Sequence, residues 1–423
     1  MTEFSLPFGA TTIAFHLPDT LNIDYLEPEP WQPLDDPTLS IKEVLISPIG
    51  SQNWSQFHSD QSVGIAINDK TRPIPKPNPI PYLLESLKEL GFQKDQITLF
   101  IGSGTHKPIK PSELSNILVR EIIDNYHVVI HDCDKSPMVN LGTTSYQTPI
   151  QINAEYYKCD VKIAVSNIEP HHFMGFSGGV KTAAIGLASR KTITTNHAML
   201  SHPKAKSGVY HLNPMRRDVE EIGKACHIDF SLGTILNEDK RILRIFFGEP
   251  GSVMKAAIPV VRQIFGVQVP KLYDLVIASP GGYPKDINLY QAEKGLTHAA
   301  RITRKGGWVI LLAACPEGSG SQSYEDYMKK AKSHKKILQH FKDGFFDIGP
   351  HKAFQIASEA IRVNIILVSQ IDPKIIKGWM LTPSTPHLLQ PLLYWVIDQL
   401  PANPRIAILP AATRTMTEVK IVR

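Results

Sequence analysis

The chain has 423 residues, of which 42% are hydrophobic and 20% are charged, and it contains 27 glycines and 33 prolines. This composition is typical of a globular protein and excludes a disordered, collagen-like or coiled-coil chain. The 45 basic and 40 acidic residues give a net charge of +5 without a basic block. The charge is therefore a weak indication of anionic ligands and gives little support for binding nucleic acid.

Cysteine usage and hydropathy predict the compartment. Cys133, Cys159, Cys226 and Cys315 show no CxxC spacing, which favours buried thiols in a reducing compartment over a disulfide scaffold. The longest apolar runs, such as 309–314, are too short to span a bilayer. The first residues lack the charged and apolar regions of a signal peptide. We therefore expect a cytoplasmic protein without a membrane span.

Short apolar runs alternate with turns and helix-like stretches along the chain. The first series comprises 63–67, 97–101, 127–130 and 161–165, and the second comprises 275–278, 308–313 and 364–368. This alternation predicts βαβ units. We expect two α/β domains with mostly parallel sheets and an active-site cleft between them.

The predicted domain limits are 1–269 and 270–402. The opening segment of about 60 residues is rich in proline and predicts edge strands or hairpins before the first βαβ unit. A last strand at 406–409 follows a Pro-Ala-Asn-Pro break. The sequence leaves open whether residues 403–423 complete the first domain or the second.

Ligands of open α/β sheets bind beyond the carboxyl ends of the strands, so the polar residues there are the candidates for a site. Asp69 and Arg72 follow the first strand and could bind a small anion, because a guanidinium holds a carboxylate through two hydrogen bonds. The alternative is a local Asp–Arg pair that caps the next helix. His106 follows the next strand after small residues and is either an acid or base or a packing residue at a helix entry.

The segment 166–182 is the richest in candidate residues. Ser177, Gly178 and Gly179 resemble a nest of backbone amides that holds phosphate, and Lys181 could reach a phosphate or a carbonyl carbon. Val180 separates Gly179 from Lys181, so the segment is not a Walker A loop.

Two further features come later in the chain. His197 is either a structural residue or a ligand for nickel, zinc or copper, and its spacing to His202 does not match a zinc-binding HExxH helix. Tyr290 and Lys294 lie four residues apart, on one face of a predicted helix with Gln291 beside them. They could face an active-site cleft, or the helix could be exposed with a solvated lysine.

Taken together, these motifs resemble the nickel-dependent lactate racemase family, in the same order over nearly the whole chain. The motifs are Asp69-Lys70-Thr71-Arg72-Pro73, Gly104-Thr105-His106-Lys107-Pro108, the run from His171 to Lys181 around Gly175-Phe176-Ser177-Gly178-Gly179, Asn196-His197, and Gly281-Gly282-Tyr283-Pro284 with Tyr290-Gln291-Ala292-Glu293-Lys294.

The resemblance implies a nickel-pincer nucleotide, a pyridinium-3-thioamide-5-thiocarboxylic acid mononucleotide that holds nickel. It implies that Lys181 attaches this cofactor through a thioamide beside Ser177, Gly178 and Gly179, and that His197 binds the nickel. Hydride would leave the substrate Cα for the cofactor, which avoids a carbanion beside a carboxylate. The resemblance further assigns acid and base roles to one group and substrate binding to another: His106 and His171 with Lys294 as catalytic residues, and Asp69, Arg72, Tyr290, Gln291 and Lys294 as substrate-binding residues.

The chain also departs from the family pattern. Lactate-specific members carry a tryptophan near the segment that here reads 349–355, and no tryptophan stands there. His351 or Lys352 could instead meet a second carboxylate or a sugar-acid hydroxyl, or Lys352 could be solvated. His172 next to His171 adds an ambiguity, which the spacing to Lys181 resolves in favour of His171 as the catalytic member.

We therefore predict a racemase or epimerase of a 2-hydroxy acid, with lactate as one candidate. Its expected partners are the small-molecule substrate and cofactor-synthesis proteins, without nucleic acid or membrane, and an oligomer is not excluded. One alternative is a zinc-dependent hydrolase that uses His171, His172 and His197. Another is a non-catalytic protein that binds an anion or nucleotide through the Ser177-Gly178-Gly179 nest.

Overall fold

The computed structural model describes residues 1–347 and 349–419. Its strands are β1 (Thr2–Phe8), β2 (Thr11–Leu17), β3 (Asn22–Tyr25), β4 (Val63–Asn68), β5 (Ile97–Gly102), β6 (His127–Ile130), β7 (Met138–Thr143), β8 (Pro149–Asn153), β9 (Val161–Asn167), β10 (Pro170–His171), β11 (Gly175–Phe176), β12 (Phe230–Leu236), β13 (Ile242–Gly248), β14 (Gly266–Val269), β15 (Tyr273–Ala278), β16 (Thr303–Leu312), β17 (Asn364–Val368), β18 (Thr382–Ser384), β19 (Arg405–Leu409) and β20 (Met416–Val419).

Its α-helices are α1 (Pro37–Ile46), α2 (Ile80–Glu89), α3 (Arg120–Asn125), α4 (Ala154–Lys158), α5 (Lys181–Ala184), α6 (Arg190–Ala198), α7 (Pro214–Ala225), α8 (Pro250–Phe265), α9 (Leu289–Ile302), α10 (Gln322–Lys330), α11 (His334–Lys342), α12 (His351–Ala360), α13 (Pro373–Gly378) and α14 (Leu389–Asp398). Short 3₁₀ helices lie at Trp54–Gln56, Lys94–Gln96, Pro111–Asn116, Met199–Ser201 and Pro386–Leu388.

The chain divides into two units. The first unit comprises residues 30–264, and the second comprises residues 1–29 together with 265–423. This division differs from the expected limits of 1–269 and 270–402 because the N-terminal residues pack with the second sheet. The apolar face of the β1–β2 hairpin packs against β15 and β16, and β3 pairs with β19. The segment from 403 belongs to the second unit as well, since β19 pairs with β15.

The first unit contains a six-stranded sheet in the order β13-β12-β9-β4-β5-β6. All neighbours are parallel except β13, which runs antiparallel to β12. The run 63–67 is wholly buried, as expected for a central strand of a sheet that is covered on both faces. The carboxyl ends of β9, β4 and β5 are therefore neighbours, and the loops after them carry several of the predicted site residues.

The second unit contains a fully parallel six-stranded sheet in the order β18-β17-β16-β15-β19-β3. Helices α9 to α13 cover one face, and the β1–β2 hairpin with α14 covers the other. The opening segment thus forms a hairpin and an edge strand as predicted, but in the second sheet. The prediction of an α/β fold with mostly parallel sheets is confirmed.

The sequence predicts buried thiols rather than a disulfide scaffold, and apolar runs too short to span a bilayer. All four cysteines are buried and free. Across residues 1–347 and 349–419, no helix has both the length and the apolar character needed to cross a membrane.

Candidate functional site

Asp69 and His106 form a hydrogen-bonded pair at the carboxyl ends of the neighbouring strands β4 and β5. Oδ2 of Asp69 lies 2.9 Å from Nδ1 of His106, and Oδ1 accepts from the hydroxyl and the backbone N–H of Thr71. The carboxylate is 4% exposed, whereas the histidine side chain is 52% exposed. The carboxylate therefore accepts Nδ1–H, which leaves Nε2 as the ring nitrogen that can exchange a proton with a ligand.

The pKa of Asp69 shows that this carboxylate stays ionised. Burial raises it, but the hydrogen bonds from His106 and Thr71 outweigh burial, so the net pKa lies below the ordinary 3.8. Because a carboxylate accepts hydrogen bonds only, it fixes the tautomer and the orientation of the histidine ring.

The alternative of a local Asp69–Arg72 pair is wrong. The oxygens of Asp69 are occupied by His106 and Thr71, and Arg72 makes no ion pair with any described carboxylate. Arg72 is half-buried and lines a cavity at this sheet edge together with Asp69, Ser166 and Asn167. A guanidinium in this setting is suited to a carboxylate from a ligand.

His171 lies on the short hairpin of β10 and β11 that follows β9. The backbone N–H of Met174 donates to its Nδ1 at 3.2 Å, so the neutral ring carries its proton on Nε2. The ring stacks on His172 with centroids 4.7 Å apart and contacts Phe173 edge-on. His106 and His171 thus present opposite states at Nε2, one able to accept a proton and the other able to donate one.

The glycine segment before Lys181 is held in a conformation that excludes side chains. Gly178 and Gly179 have φ values of +89° and +60°, and a Cβ on Gly179 would lie 2.8 Å from both the Arg216 guanidinium and Met254 Cγ. The fully buried Arg216 donates to the carbonyl of Gly178 at 3.1 Å. The segment therefore presents its backbone over a buried positive charge.

The side chain of Ser177 makes hydrogen bonds within its own loop. Its hydroxyl donates to the carbonyl of Asn167 at 2.9 Å and accepts from the N–H of Glu169 at 3.0 Å. The side chain therefore holds the loop to the end of β9.

A prediction follows for Gly179. We expect Gly179→Ala to lower the free energy of unfolding by about 1–3 kcal/mol, because the new methyl group meets Arg216 and Met254 at a positive φ. Gly142→Ala is the matched control, since Gly142 has a φ of +92° with nothing within 4 Å of its added Cβ. Urea denaturation measures both, and equal losses in the two variants would show that the close contact has no effect.

His197 and Lys181 both lie in the first unit. His197 lies in the last turn of α6, whose N-cap is Ser189. Burial, followed by the positive charge of Lys181, lowers the pKa of His197 to about 4, and the Ile193 carbonyl opposes both effects. The charge of Lys181 therefore contributes to keeping this ring neutral.

The surroundings of His197 fit a metal ligand. The low pKa keeps the ring neutral at neutral pH, which is the form that binds metals. Its Nδ1 is buried without a hydrogen-bond partner among the residues that the structure describes. Phe173 contacts the ring edge-on, with centroids 5.3 Å apart. Nickel is a metal that imidazole suits.

A zinc site of His171, His172 and His197 is not formed. Within the described part of the chain, the only group of three candidate ligands with converging atoms is Asp132, Cys133 and Asp134. In that group the carboxylate of Asp134 accepts two hydrogen bonds from Arg190, one from Nε and one from Nη2. The zinc-hydrolase alternative therefore lacks a ligand set.

The second unit carries the other predicted residues on α9. The side chain of Asn288 caps this helix by accepting from the N–H of Gln291, and Lys294 donates to Oε1 of Gln291 at 2.6 Å. Burial, followed by the charge of Glu293, raises the pKa of Tyr290 to about 12. The predicted helix is present, and Lys294 is hydrogen-bonded to Gln291 rather than simply solvated.

The structure corrects the expectations for Lys352 and His351. Lys352 is 3% exposed and donates to Glu293 at 2.6 Å, so neither a solvated lysine nor a cation left for a substrate carboxylate is correct. His351 is buried, and its Nδ1 accepts from the N–H of Gly349. Sequence reasoning missed Glu293, whose partner lies 59 residues away.

Two sequence models of protein families match the chain. The model described as lactate racemase N-terminal domain matches residues 8–208, and the model described as lactate racemase C-terminal domain matches residues 269–387. Together they cover most of the chain.

Curated relatives and solved structures give the same result. The chain is 28% identical over 345 residues to a lactate racemase of Thermoanaerobacterium thermosaccharolyticum, covering 80% of each protein. It is 31% identical over 303 residues to a lactate racemase of Lactiplantibacillus plantarum, covering 71% of each. The structure of the lactate racemase apoprotein from T. thermosaccharolyticum matches with a TM-score of 0.88 at 25% identity, covering 99% of this chain and all of that one. A Thermotoga maritima protein, 18% identical, matches with a TM-score of 0.65 over 94% of this chain and all of that one, and shares the fold.

Proposed function

The chain belongs to the lactate racemase family, and from this premise we propose that it interconverts the stereoisomers of a 2-hydroxy acid, with lactate as the first candidate substrate. The observation that carries the proposal is the buried, neutral imidazole of His197, on which the positive charge of Lys181 acts. An amine for covalent attachment and a metal ligand are the two groups that the expected cofactor requires.

The residues of the first unit fit the nickel-pincer nucleotide. Lys181 would attach it through a thioamide and His197 would bind its nickel, and the backbone of Gly178 and Gly179 just before Lys181 is held at positive φ. When bound, this group supplies an acceptor for hydride from the substrate Cα and a donor for its return.

His106 and His171 are proposed as the acid and base. As the substrate carbon loses hydride, Nε2 of His106 accepts the hydroxyl proton, which yields a planar 2-keto acid. Reduction of the other face needs a proton on the new hydroxyl, and Nε2–H of His171 supplies it. For the reverse reaction the two histidines exchange these roles.

The remaining residues are proposed to bind the substrate. Arg72, which has no carboxylate partner among residues 1–347 and 349–419, would hold the substrate carboxylate. Lys294, Gln291 and Tyr290 on α9 would bind the carboxylate and hydroxyl, with Lys294 also supporting catalysis through its charge. Asp69 was expected to bind substrate, but its hydrogen bond to His106 supports the role of holding that histidine.

The cellular context follows from this chemistry. Cofactor-synthesis proteins would be required as partners, and four buried thiols fit the cytoplasmic compartment expected from the sequence.

The decisive experiment co-expresses the chain with cofactor-synthesis enzymes. We expect mass spectrometry to locate an adduct on Lys181, and metal analysis to find nickel with it. Lys181→Arg should lose the adduct and all racemisation, whereas Lys191→Arg, at an exposed lysine of α6, should keep both.

Chiral analysis of lactate, malate, 2-hydroxyglutarate, aromatic 2-hydroxy acids and aldonates then identifies the substrate. Substrate deuterated at C2 should keep its deuterium in the product, because hydride transfer does not exchange with water. A nickel-loaded protein that isomerises none of these acids would contradict the proposal. Ligand binding without turnover would support the anion-binding alternative instead.

A further inference from the structure

Glu293 on α9 and Lys352 on α12 form a buried ion pair in the second unit. Nζ of Lys352 lies 2.6 Å from Oε2 of Glu293, and the side chains are 3% and 1% exposed, respectively. The other oxygen of Glu293 accepts from the hydroxyl of Thr297 at 2.7 Å. Both carboxylate oxygens therefore have partners inside the protein.

The same ammonium group lies over the ring of Tyr290, 4.8 Å from its centroid. This distance is within the range of a cation–π interaction, which is strengthened where water is excluded. His351, the neighbour of Lys352, contacts the ring edge-on with centroids 5.8 Å apart. Tyr290 is thus held by two consecutive residues at the start of α12.

Stability alone does not account for such a pair. A buried ion pair loses hydration on both charges, and a well-packed apolar pair of similar volume is often equally or more stabilising. What an apolar pair lacks is a charge directed at the ring of Tyr290. Tyr290 lies on the same helix as Gln291 and Lys294, which the proposed function places in substrate binding.

We propose that Glu293 and Lys352 are a positioning pair that fixes the ring of Tyr290 and, through α9, the substrate-binding side chains beside it. Glu293 fixes the position of the Lys352 ammonium, and that ammonium fixes the orientation of the Tyr290 ring. The effect on catalysis rests on the proposed function, whereas the effect on the ring does not.

The test uses four variants of the full chain and one control variant. Lys352→Met and Glu293→Gln each break the pair, and both are expected to lower the melting temperature because one buried polar group loses its partner. The double variant with Glu293→Leu and Lys352→Met removes both charges and should restore the melting temperature. Lys352→Arg keeps the charge, and Lys329→Met removes the exposed partner of Asp326 as a control.

The first readout is ¹⁹F NMR of protein labelled with 3-fluorotyrosine, in which Tyr290→Phe identifies the signal. We expect the Tyr290 signal to shift or broaden in the double variant, to return toward the wild-type position in Lys352→Arg, and to stay unchanged in Lys329→Met. A Tyr290 signal that is unchanged in a well-folded double variant would overturn the proposal.

The second readout is kinetic and uses the nickel-loaded enzyme. The double variant should raise KM roughly three- to tenfold with a smaller change in kcat, since a misplaced binding residue loses about one hydrogen bond to the substrate. Wild-type KM in the double variant would show that the pair acts only in folding. If wild-type protein has no racemase activity but the ¹⁹F signal moves as expected, the proposed function fails while the positioning of Tyr290 stands.

Discussion

Replacing either His106 or His171 with asparagine is expected to lower the rate of racemisation by about 10²- to 10⁴-fold, the range that a positioned acid or base contributes. The structure gives each ring a different starting state. Asp69 accepts Nδ1–H of His106, and the Met174 N–H donates to Nδ1 of His171. One ring therefore begins as the proton acceptor and the other as the donor, so that neither can replace the other.

Because two enantiomers have equal free energies, kcat/KM must fall by the same factor in both directions for either variant. Initial rates from each pure enantiomer, followed by chiral chromatography, measure this. A variant that appears to lose only one direction indicates an incomplete assay rather than a one-sided histidine.

His172→Asn is the matched control for His171→Asn, because the two rings stack on each other in the same loop. We expect His172→Asn to keep more than about a tenth of the activity, since only a residue that transfers the proton contributes the full factor. The opposite ranking would assign the acid role to His172. A melting curve of His106→Asn shows whether the variant stays folded, since the buried Asp69 carboxylate loses its hydrogen bond from the histidine.

The parallel sheets could be predicted because their strands carry their own signal. A strand covered on both faces reads as a continuous apolar run, and 63–67 and 364–368 both lie within strands of the structure. The site loops could be found for the same reason, since the end of each run marks where a ligand-binding loop begins. The face of α9 with Gln291 and Lys294 followed from helical periodicity.

Pairings between distant residues could not be predicted. β3 pairs with β19 across more than 370 residues, and nothing in either segment specifies the other. Asp69 has an arginine three positions away, so a local pair was a reasonable alternative. The structure gives Asp69 a histidine 37 residues away instead, because β4 and β5 are neighbours in the sheet.

The burial of charged residues was also not predicted from the sequence. A lysine is seldom buried unless it is paired. Nothing in the sequence around Lys352 indicates that Glu293 is its partner. The same holds for Arg216, which is fully buried beneath the glycine segment and joined to Glu220 one turn along α7. An Arg and Glu spaced by four residues on a predicted helix is a signal that could have indicated this pair, though not its contact with Gly178.

Asp69→Asn is expected to lower kcat by about 10²- to 10⁴-fold, the range for loss of the carboxylate that holds a catalytic histidine. An amide can donate to Nδ1 of His106 as readily as it can accept from it. Donation would move the ring proton to Nε2, where the base is required. Thr71→Val is the matched control, because it removes a hydrogen bond to Oδ1 of the same carboxylate and leaves the bond between Oδ2 and His106 in place, and we expect it to retain activity within about tenfold.

The pH dependence of stability distinguishes this role from a packing role. The folded-state pKa of Asp69 lies below the ordinary value of 3.8, so its carboxylate stabilises the fold above pH 3.8 and loses that contribution as the pH falls through the lower, folded-state value. The difference in free energy of unfolding between wild type and Asp69→Asn, measured in urea, should therefore be constant near neutral pH and shrink below pH 3.8. A difference that does not change with pH would mean that the asparagine perturbs packing rather than the ionised pair with His106, and the kinetic loss would then not report on the tautomer of that histidine.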